Sequence, residues 1–183
     1  MQEKTLHKLD TFIRDIVDHS RNARTPRQHE EIDFKKIIDE SFEHFNFLDN
    51  LRNIRRKAAV NQTCPFYSDR GRIQIILNNL ISNSIKYTDL HKAEPFISIE
   101  VTIDSQKATI LVEDNGEGIR PEMQDRIFDM FVRATERSTG SGLGLYIVKE
   151  VVDKLNGKIS IKSEFGRGSL FRIELPNQSN EEF

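Results

Sequence analysis

The sequence predicts an α+β fold in which helices cover one face of a mixed, mostly antiparallel sheet. Two observations predict it: amphipathic helix patterns and antiparallel hairpin patterns alternate along one stretch of chain, residues 32–176. Such mixing favours a two-layer α+β sandwich over a doubly wound parallel sheet. The composition, 37% hydrophobic and 31% charged, is typical of a soluble globular protein.

The chain is expected to begin with a helix and a linker. Residues 1–22 carry apolar side chains at helical spacing, so this amphipathic helix is expected to pack against a partner helix. Residues 23–31 are polar, contain Pro26 and have no apolar periodicity, which predicts a linker. The globular domain then spans residues 32–176, followed by a polar tail at 177–183.

Two helices and a strand are predicted in the first half of the domain. Asp33 is a candidate N-cap for a helix, and Asp69 is a candidate N-cap for a second one that extends to Tyr87. Residues 54–60 between them have strand character. The first helix has one apolar face, formed by Phe34, Ile37, Ile38, Phe42 and Phe45.

The second half begins with the clearest strand pattern in the chain. From Phe96 to Asp114 apolar and polar residues alternate on both sides of a polar turn at residues 105–107, which predicts an antiparallel hairpin. Pro121 suits the start of a short helix containing Met123, Ile127 and Phe128.

A longer helix and a closing hairpin complete the prediction. The helix is expected from residue 142 to 155, ending at Asn156-Gly157, which suits a C-terminal cap. Strands are expected at residues 158–163 and 169–175.

Charge and cysteine content exclude several functional classes. The formal net charge of −2 argues against nucleic-acid binding driven by bulk charge. A single cysteine, Cys64, cannot form an internal disulfide, and no Cys or His cluster has zinc-ligand spacing. No apolar run approaches the roughly 20 residues of a membrane span, so a cytoplasmic location is expected. The same location is expected if this chain is the cytosolic part of a membrane-bound parent.

The helix after Asp69 carries a polar stripe of Asn79, Asn83 and Lys86, spaced i, i+4 and i+7. A solvated helix face is one interpretation. The alternative is a functional site, because amide oxygens suit a hard cation that keeps several waters and Lys86 suits a phosphate.

A second candidate, residues 114–119 (DNGEGI), directly follows a predicted strand. It is either an ordinary glycine turn or a base site. In a base site Asp114 would accept a hydrogen bond from an exocyclic amine, and the glycines would let the backbone approach a flat base. That chemistry suits adenine.

A third candidate, residues 140–145 (GSGLGL), opens the long helix. Backbone amides at a helix N-terminus bind anions, so a phosphate is the expected ligand. Between the second and third candidates, residues 132–139 are either a mobile flap or a plain surface loop.

In this order the motifs resemble the catalytic, ATP-binding domain of sensor histidine kinases, within the superfamily shared with gyrase, heat-shock protein 90 and MutL. NNLISNSIKYT is similar to the family's asparagine box, DNGEGI and GSGLGL to its glycine boxes, and IFDMF to its phenylalanine box. The resemblance covers residues 32–176, and the N-terminal helix resembles the second helix of the kinase dimerisation domain.

The resemblance implies a role for each matching residue. Asn83 would coordinate Mg²⁺, and Asn79 and Lys86 would be catalytic residues beside the triphosphate of ATP. Tyr87 would pack against adenine, and Asp114 would accept from its amino group. The base pocket would be shaped by Gly116, Gly118 and Ile119. Phe128 and Phe131 would anchor the lid, and Arg133 would be a candidate phosphate contact. The lid hinge and phosphate amides would come from Gly140, Ser141, Gly142, Leu143 and Gly144.

The family's phosphoacceptor motif, a histidine followed by an acidic residue and then Arg or Lys, Thr or Asn, and Pro, does not occur in this sequence. Arg21 stands where that histidine would precede Arg24-Thr25-Pro26. The expected protein is therefore a truncated kinase that phosphorylates a histidine outside this chain. Its expected partners are that phosphoacceptor helix and a response regulator receiver domain, with a homodimeric parent. Alternatives are an anti-sigma-type serine kinase and a non-catalytic nucleotide-binding scaffold.

Overall fold

The computed structural model describes residues 26–46, 53–132 and 141–178. The predicted N-terminal helix at 1–22, most of the predicted flap and the end of the polar tail lie outside these ranges. In the described part, no helix combines the length and the apolar character that crossing a bilayer requires.

The main sheet has five strands: β2 (Arg55–Gln62), β4 (Phe96–Ile103), β5 (Lys107–Asp114), β6 (Lys158–Glu164) and β7 (Gly168–Pro176). Their order across the sheet is β2-β4-β5-β7-β6. β2 pairs with β4 in parallel, and the other neighbours pair antiparallel. The predicted mixed, mostly antiparallel sheet is therefore confirmed.

The helices pack on one face of this sheet, as predicted. The middle helix contacts both of its neighbours, so the three longer helices form one layer. The described helices are α1 (Phe34–His44), α2 (Arg70–Lys86), α3 (Pro121–Gln124) and α4 (Gly144–Lys154).

The hydrophobic core lies between the helices and the inner face of the sheet. The strand register aligns apolar residues on this inner face. Val101 pairs with Ile110, which in turn pairs with Ile173, and all three are fully buried. The predicted apolar face of α1 is confirmed, since each of its five residues is buried. Glu100 and Glu113, one position out of phase on the strands, are exposed on the opposite face.

The predicted helix caps are confirmed by hydrogen bonds. The Lys36 backbone N–H donates to Asp33 Oδ1 at 3.0 Å, and the Arg72 N–H donates to Asp69 Oδ1 at 2.9 Å. At the other end of the helix layer, α4 stops before Asn156, whose φ of 57° is left-handed.

Two helix boundaries differ from the sequence prediction. α3 ends at Gln124, so Ile127 and Phe128 lie in turns rather than in the helix. α4 begins at Gly144 rather than at residue 142, because Gly142 has a φ of +75° that is incompatible with an α-helix.

A small sheet of β1 (Glu30–Glu31) and β3 (Tyr67–Ser68) was not predicted. Two-residue strands carry no alternation pattern. β1 uses the last two residues of the segment that the sequence indicates as a linker. Nearby, the Gln28 N–H donates to Asp69 Oδ2 at 3.0 Å.

Candidate functional site

The last residue of β5, Asp114, occupies the centre of the candidate site. The strand alternation points its side chain to the helix-covered face, where the Ser84 hydroxyl on α2 donates to Oδ2 at 2.9 Å. The Gly116 N–H donates to the other oxygen, Oδ1, at 2.9 Å. One carboxylate thus links the sheet, the helix layer and the glycine turn.

Burial dominates the electrostatics of Asp114. Removal of the carboxylate from water raises its pKa above the usual value. Hydrogen bonds from Gly116 and Ser84, and the positive charge of Lys92, act in the opposite direction and favour the ionised form. The result is a partly buried acceptor that is already oriented by two donors, which is what recognition of an exocyclic amine requires.

The glycines of the DNGEGI turn are required by close backbone approaches. A Cβ on Gly116 would lie 2.4 Å from the Tyr87 carbonyl oxygen, and one on Gly118 would lie 2.1 Å from that of Glu164. Gly118 also has a φ of +67°. The turn therefore fits between the C-terminus of α2 and the end of β6, and no side chain intervenes there.

The end of this turn is fixed to β6. The Ile119 N–H donates to Ser163 Oγ at 2.8 Å, and the Ile119 side chain is buried. Gln124 on α3 donates to the carbonyl oxygens of Ile119 and Ser163, at 3.0 and 2.9 Å. These bonds leave the glycine turn little freedom.

The polar stripe of α2 lies beside this turn and is partly exposed, as the sequence indicates. Lys86 places its ammonium 5.0 Å from the centre of the Tyr87 ring. Asn79 donates to the Ile75 carbonyl at 2.9 Å, and its Oδ1 lies 2.9 Å from the place that a Cβ on Gly144 would occupy. The stripe thus faces the start of α4.

Asn83 fits a magnesium ligand. Its side chain is partly buried and makes no hydrogen bond within residues 26–46, 53–132 and 141–178. An amide oxygen without a protein donor suits Mg²⁺, which takes few protein ligands and completes its shell with phosphate oxygens and water. The described residues contain no cluster of three or more His, Cys, Asp or Glu that would form a separate metal site.

The GSGLGL segment is described from Ser141 onward. The Ser141 hydroxyl accepts from the Leu143 N–H at 3.1 Å, and no side chain caps the N-terminus of α4. The Gly142 carbonyl accepts from the Phe131 N–H at 3.0 Å. The first amides of α4 are therefore available to an anion at the point nearest to Asn79.

The two phenylalanines of the IFDMF segment behave differently. Phe128 packs against the core, whereas Phe131 is 61% exposed and has a φ of 64°. The next candidate residue, Arg133, and the first glycine of GSGLGL, Gly140, lie outside the described residues.

Some residues of this site were not assigned a role from the sequence. Ser84 carries one signal, a hydroxyl on the otherwise apolar face of α2. Gly168 has a φ of +134°, and a Cβ there would lie 2.0 Å from the Asp114 carbonyl oxygen. The sequence predicts a turn at residues 164–168 but not the approach of Gly168 to Asp114, and it gives no signal for Lys92. In both cases the partners are distant in sequence.

Comparisons with known proteins agree with this geometry. Residues 68–179 match the family described as histidine kinase-, DNA gyrase B-, and HSP90-like ATPase. The chain is 32% identical over 177 residues to the methanogenesis regulatory histidine kinase FilI of Methanothrix harundinacea, covering 96% of this chain and 20% of that protein. It spans about a fifth of the length of the curated relatives that it matches first.

Solved structures share the fold. The mycobacterial sensor histidine kinase MprB superposes with a TM-score of 0.68 and 27% identity, covering 82% of this chain and 98% of that one. Full-length ShkA in complex with AMPPNP gives a TM-score of 0.75 and 25% identity, covering 89% of this chain and 34% of that one. The chain therefore belongs to the family of histidine kinase-, DNA gyrase B- and HSP90-like ATPases, and its sheet and helix layer form an ATP-binding catalytic domain of the histidine kinase type.

Proposed function

We propose that this domain binds Mg·ATP between α2, the glycine turn after β5 and the start of α4, and transfers its γ-phosphoryl group to a histidine on another segment. The main support for the proposal is the partly buried Asp114 carboxylate, which accepts hydrogen bonds from Ser84 and from the Gly116 N–H, each at 2.9 Å. Such an acceptor suits the adenine amino group.

With the base at Asp114, the remaining candidate residues would bind the phosphates and the metal ion. Lys86 and the first amides of α4 would bind the phosphates, while Asn83 would hold Mg²⁺, which neutralises charge on the phosphate oxygens. Asn79 would lie beside the triphosphate, at the start of α4. The related ShkA was solved with AMPPNP, an ATP analogue, which supports a triphosphate ligand here.

Catalysis in this arrangement is positioning and charge neutralisation. The acceptor imidazole nitrogen forms a bond to the γ-phosphorus as the bond from phosphorus to the bridging oxygen breaks, which leaves ADP. None of the five histidines of the chain stands in a phosphoacceptor motif. The proposed acceptor is therefore a histidine on a dimerisation helix outside this chain, in a homodimeric parent.

We also propose a downstream partner and a cellular location for this domain. Phosphohistidine is a high-energy donor, and a response regulator receiver domain would take the phosphoryl group from it. We place this reaction in the cytoplasm, where ATP is available.

A labelling experiment tests the transfer. The chain is incubated with γ-labelled ATP alone, with a helical hairpin that carries a His-Glu-x-Arg-Thr-Pro motif, and with the same hairpin bearing alanine for that histidine. We expect acid-labile label only on the histidine-containing hairpin. Acid-labile label on the chain alone would contradict the proposed acceptor, and acid-stable label would indicate a serine kinase instead.

A further inference from the structure

The loop between α2 and β4 carries a lysine, Lys92, whose ammonium group lies among four backbone carbonyls. Lys92 Nζ donates to the oxygens of Asn115 at 2.5 Å and Gly116 at 3.0 Å. It also lies within hydrogen-bond distance of the oxygens of Gly166 at 2.9 Å and Arg167 at 3.2 Å. The side chain is partly buried against these two turns.

This arrangement differs from an ordinary surface ion pair. An ammonium has three donors, and here they are shared among four carbonyl oxygens of two turns that are distant in sequence. Carbonyl dipoles that converge on one point repel each other, and a cation at that point converts the repulsion into attraction. Lys92 therefore joins the turn after β5 to the turn between β6 and β7.

The turn that Lys92 contacts is the one that carries the base acceptor. Several other bonds hold the same turn. The Glu117 N–H donates to the Tyr87 carbonyl at 2.9 Å, and the Glu117 carbonyl accepts from the Gly166 N–H at 2.7 Å. The Asn115 side chain accepts from the Phe96 N–H at 2.8 Å and donates to the Glu94 carbonyl at 2.9 Å. Lys92 adds donors to the backbone carbonyls of Asn115 and Gly116, directly after Asp114. Its positive charge also favours the ionised form of Asp114.

We propose that Lys92 is a positioning residue for the nucleotide site, acting through the carbonyls of Asn115 and Gly116 to hold the base-binding turn in shape. This inference rests on the proposed base site at Asp114. Lys92 does not touch the nucleotide, because its donors point to backbone carbonyls of the protein. It acts on the base pocket and not on the phosphates.

The test compares Lys92→Met with a matched variant, Lys107→Met. Lys107 lies at the opposite end of β5 from Asp114 and pairs with Glu174 at 2.5 Å, so its loss affects stability but not the base-binding turn. Dissociation constants for ATP, ADP and adenosine are measured by calorimetry, at a temperature where circular dichroism shows both variants folded.

We expect Lys92→Met to weaken binding of all three ligands by the same factor, about tenfold, and Lys107→Met to leave binding unchanged. Unchanged affinity in Lys92→Met would overturn the proposal and make Lys92 a purely structural lysine. A loss confined to ATP and ADP would also overturn it, because it would indicate direct contact with phosphate.

One further measurement and one further variant complete the test. Hydrogen exchange of the Gly166 amide should accelerate in Lys92→Met and not in Lys107→Met, and unchanged exchange would overturn the positioning role. If Lys92→Met does not fold, Lys92→Gln is measured in the same way, with the same outcomes.

Asp114→Asn is measured in parallel to separate the two proposals. If this variant binds ATP like the wild type, the assignment of the base site fails. If it loses ATP while Lys92→Met retains it, only the role of Lys92 fails.

Discussion

The two ends of the candidate site are built differently. The proposed adenine end, formed by Asp114, Gly116, Gly118 and Gly168, is closely packed, and its backbone segments approach so closely that a methyl group on any of the three glycines would clash. The proposed phosphate end, formed by Asn79, Asn83, Lys86 and the start of α4, is partly exposed. Asn83 makes no side-chain hydrogen bond to any other described residue.

The difference in packing matches the two parts of the proposed ligand, the base and the triphosphate. A base offers a fixed pattern of donors and acceptors, so a preorganised pocket can recognise it with little entropic cost. A triphosphate with Mg²⁺ is flexible and hydrated, so its protein ligands need only lie within reach. Substitutions at the adenine end should therefore affect folding or binding strongly, whereas those at the phosphate end should affect binding alone.

The largest effect is expected at Gly168. Gly168→Ala should destabilise the domain by about 3 kcal/mol or more, because it adds a steric clash to a strained backbone conformation. A Cβ there would lie 2.0 Å from the Asp114 carbonyl oxygen, at a φ of +134°. Urea unfolding followed by circular dichroism measures the loss.

Gly166→Ala is the matched control, because Gly166 has a φ of +85° but no atom within 4 Å of the added Cβ. Gly166→Ala should lower the free energy of unfolding only by the cost of placing alanine in a left-handed backbone conformation. Equal losses of stability in the two variants would show that the close approach at Gly168 is unimportant.

The next largest effect separates binding from stability at Asp114. Asp114→Asn should lose roughly 1 to 3 kcal/mol of ATP-binding free energy, because the acceptor for the adenine amine is replaced by a donor or a reoriented amide. Its thermal stability at neutral pH should stay the same or rise, because a buried charge is removed. Calorimetric titration and thermal melts measure the two quantities.

A joint loss of stability and affinity in Asp114→Asn would mean that the carboxylate is structural. Unchanged affinity would mean that the base binds elsewhere.

At the phosphate end, Asn83→Ala should weaken ATP binding only in the presence of Mg²⁺, by about tenfold or more, as expected for loss of a metal ligand. Asn78→Ala is the control, since Asn78 lies on the same helix and accepts a hydrogen bond from Gln74 at 3.2 Å. Titrations with Mg²⁺ and with a chelator give the comparison. The same loss under both conditions would exclude a metal-binding role.

The smallest effect is a dependence on pH confined to the adenine end. Burial raises the pKa of Asp114, so ADP affinity of the wild type should fall by about twofold as the pH decreases to that pKa. Because the folded state binds this proton more tightly than the unfolded state, the resulting stabilisation is present at low pH and is lost as pH rises through the folded pKa.

Asp114→Asn should lack both pH effects, while the titration of the nucleotide itself is common to both proteins. ADP affinities measured from neutral to acidic pH, taken as the ratio of wild type to variant, isolate the carboxylate. A ratio that does not change with pH would assign the acid response to another group.

Much of the fold follows from short-range patterns. Alternation from Phe96 to Asp114 predicted β4, β5 and their hairpin, and Asp33 and Asp69 predicted the starts of α1 and α2. These signals work because strand pairing across a tight turn and helix capping involve residues that are near in sequence.

The boundaries that differ depend on distant contacts. Gly142 lies outside α4 because its left-handed conformation brings its carbonyl to the Phe131 N–H. β1 exists only because β3 lies beside it, far along the chain.

Local sequence patterns were sufficient to predict the order of the main-sheet strands and the longer described helices, the layer of helices on one face, and the three motifs that contain Asp114, Asn83 and the start of α4. Only the tertiary structure shows that Ser84 orients Asp114, that Gly168 has no room for a side chain, and that the Lys92 ammonium lies among four carbonyls. The physical reason is the separation in sequence between the interacting residues. Helices, hairpins and caps are set by neighbours a few residues apart, whereas these contacts form only when segments 23 to 75 residues apart meet around one turn.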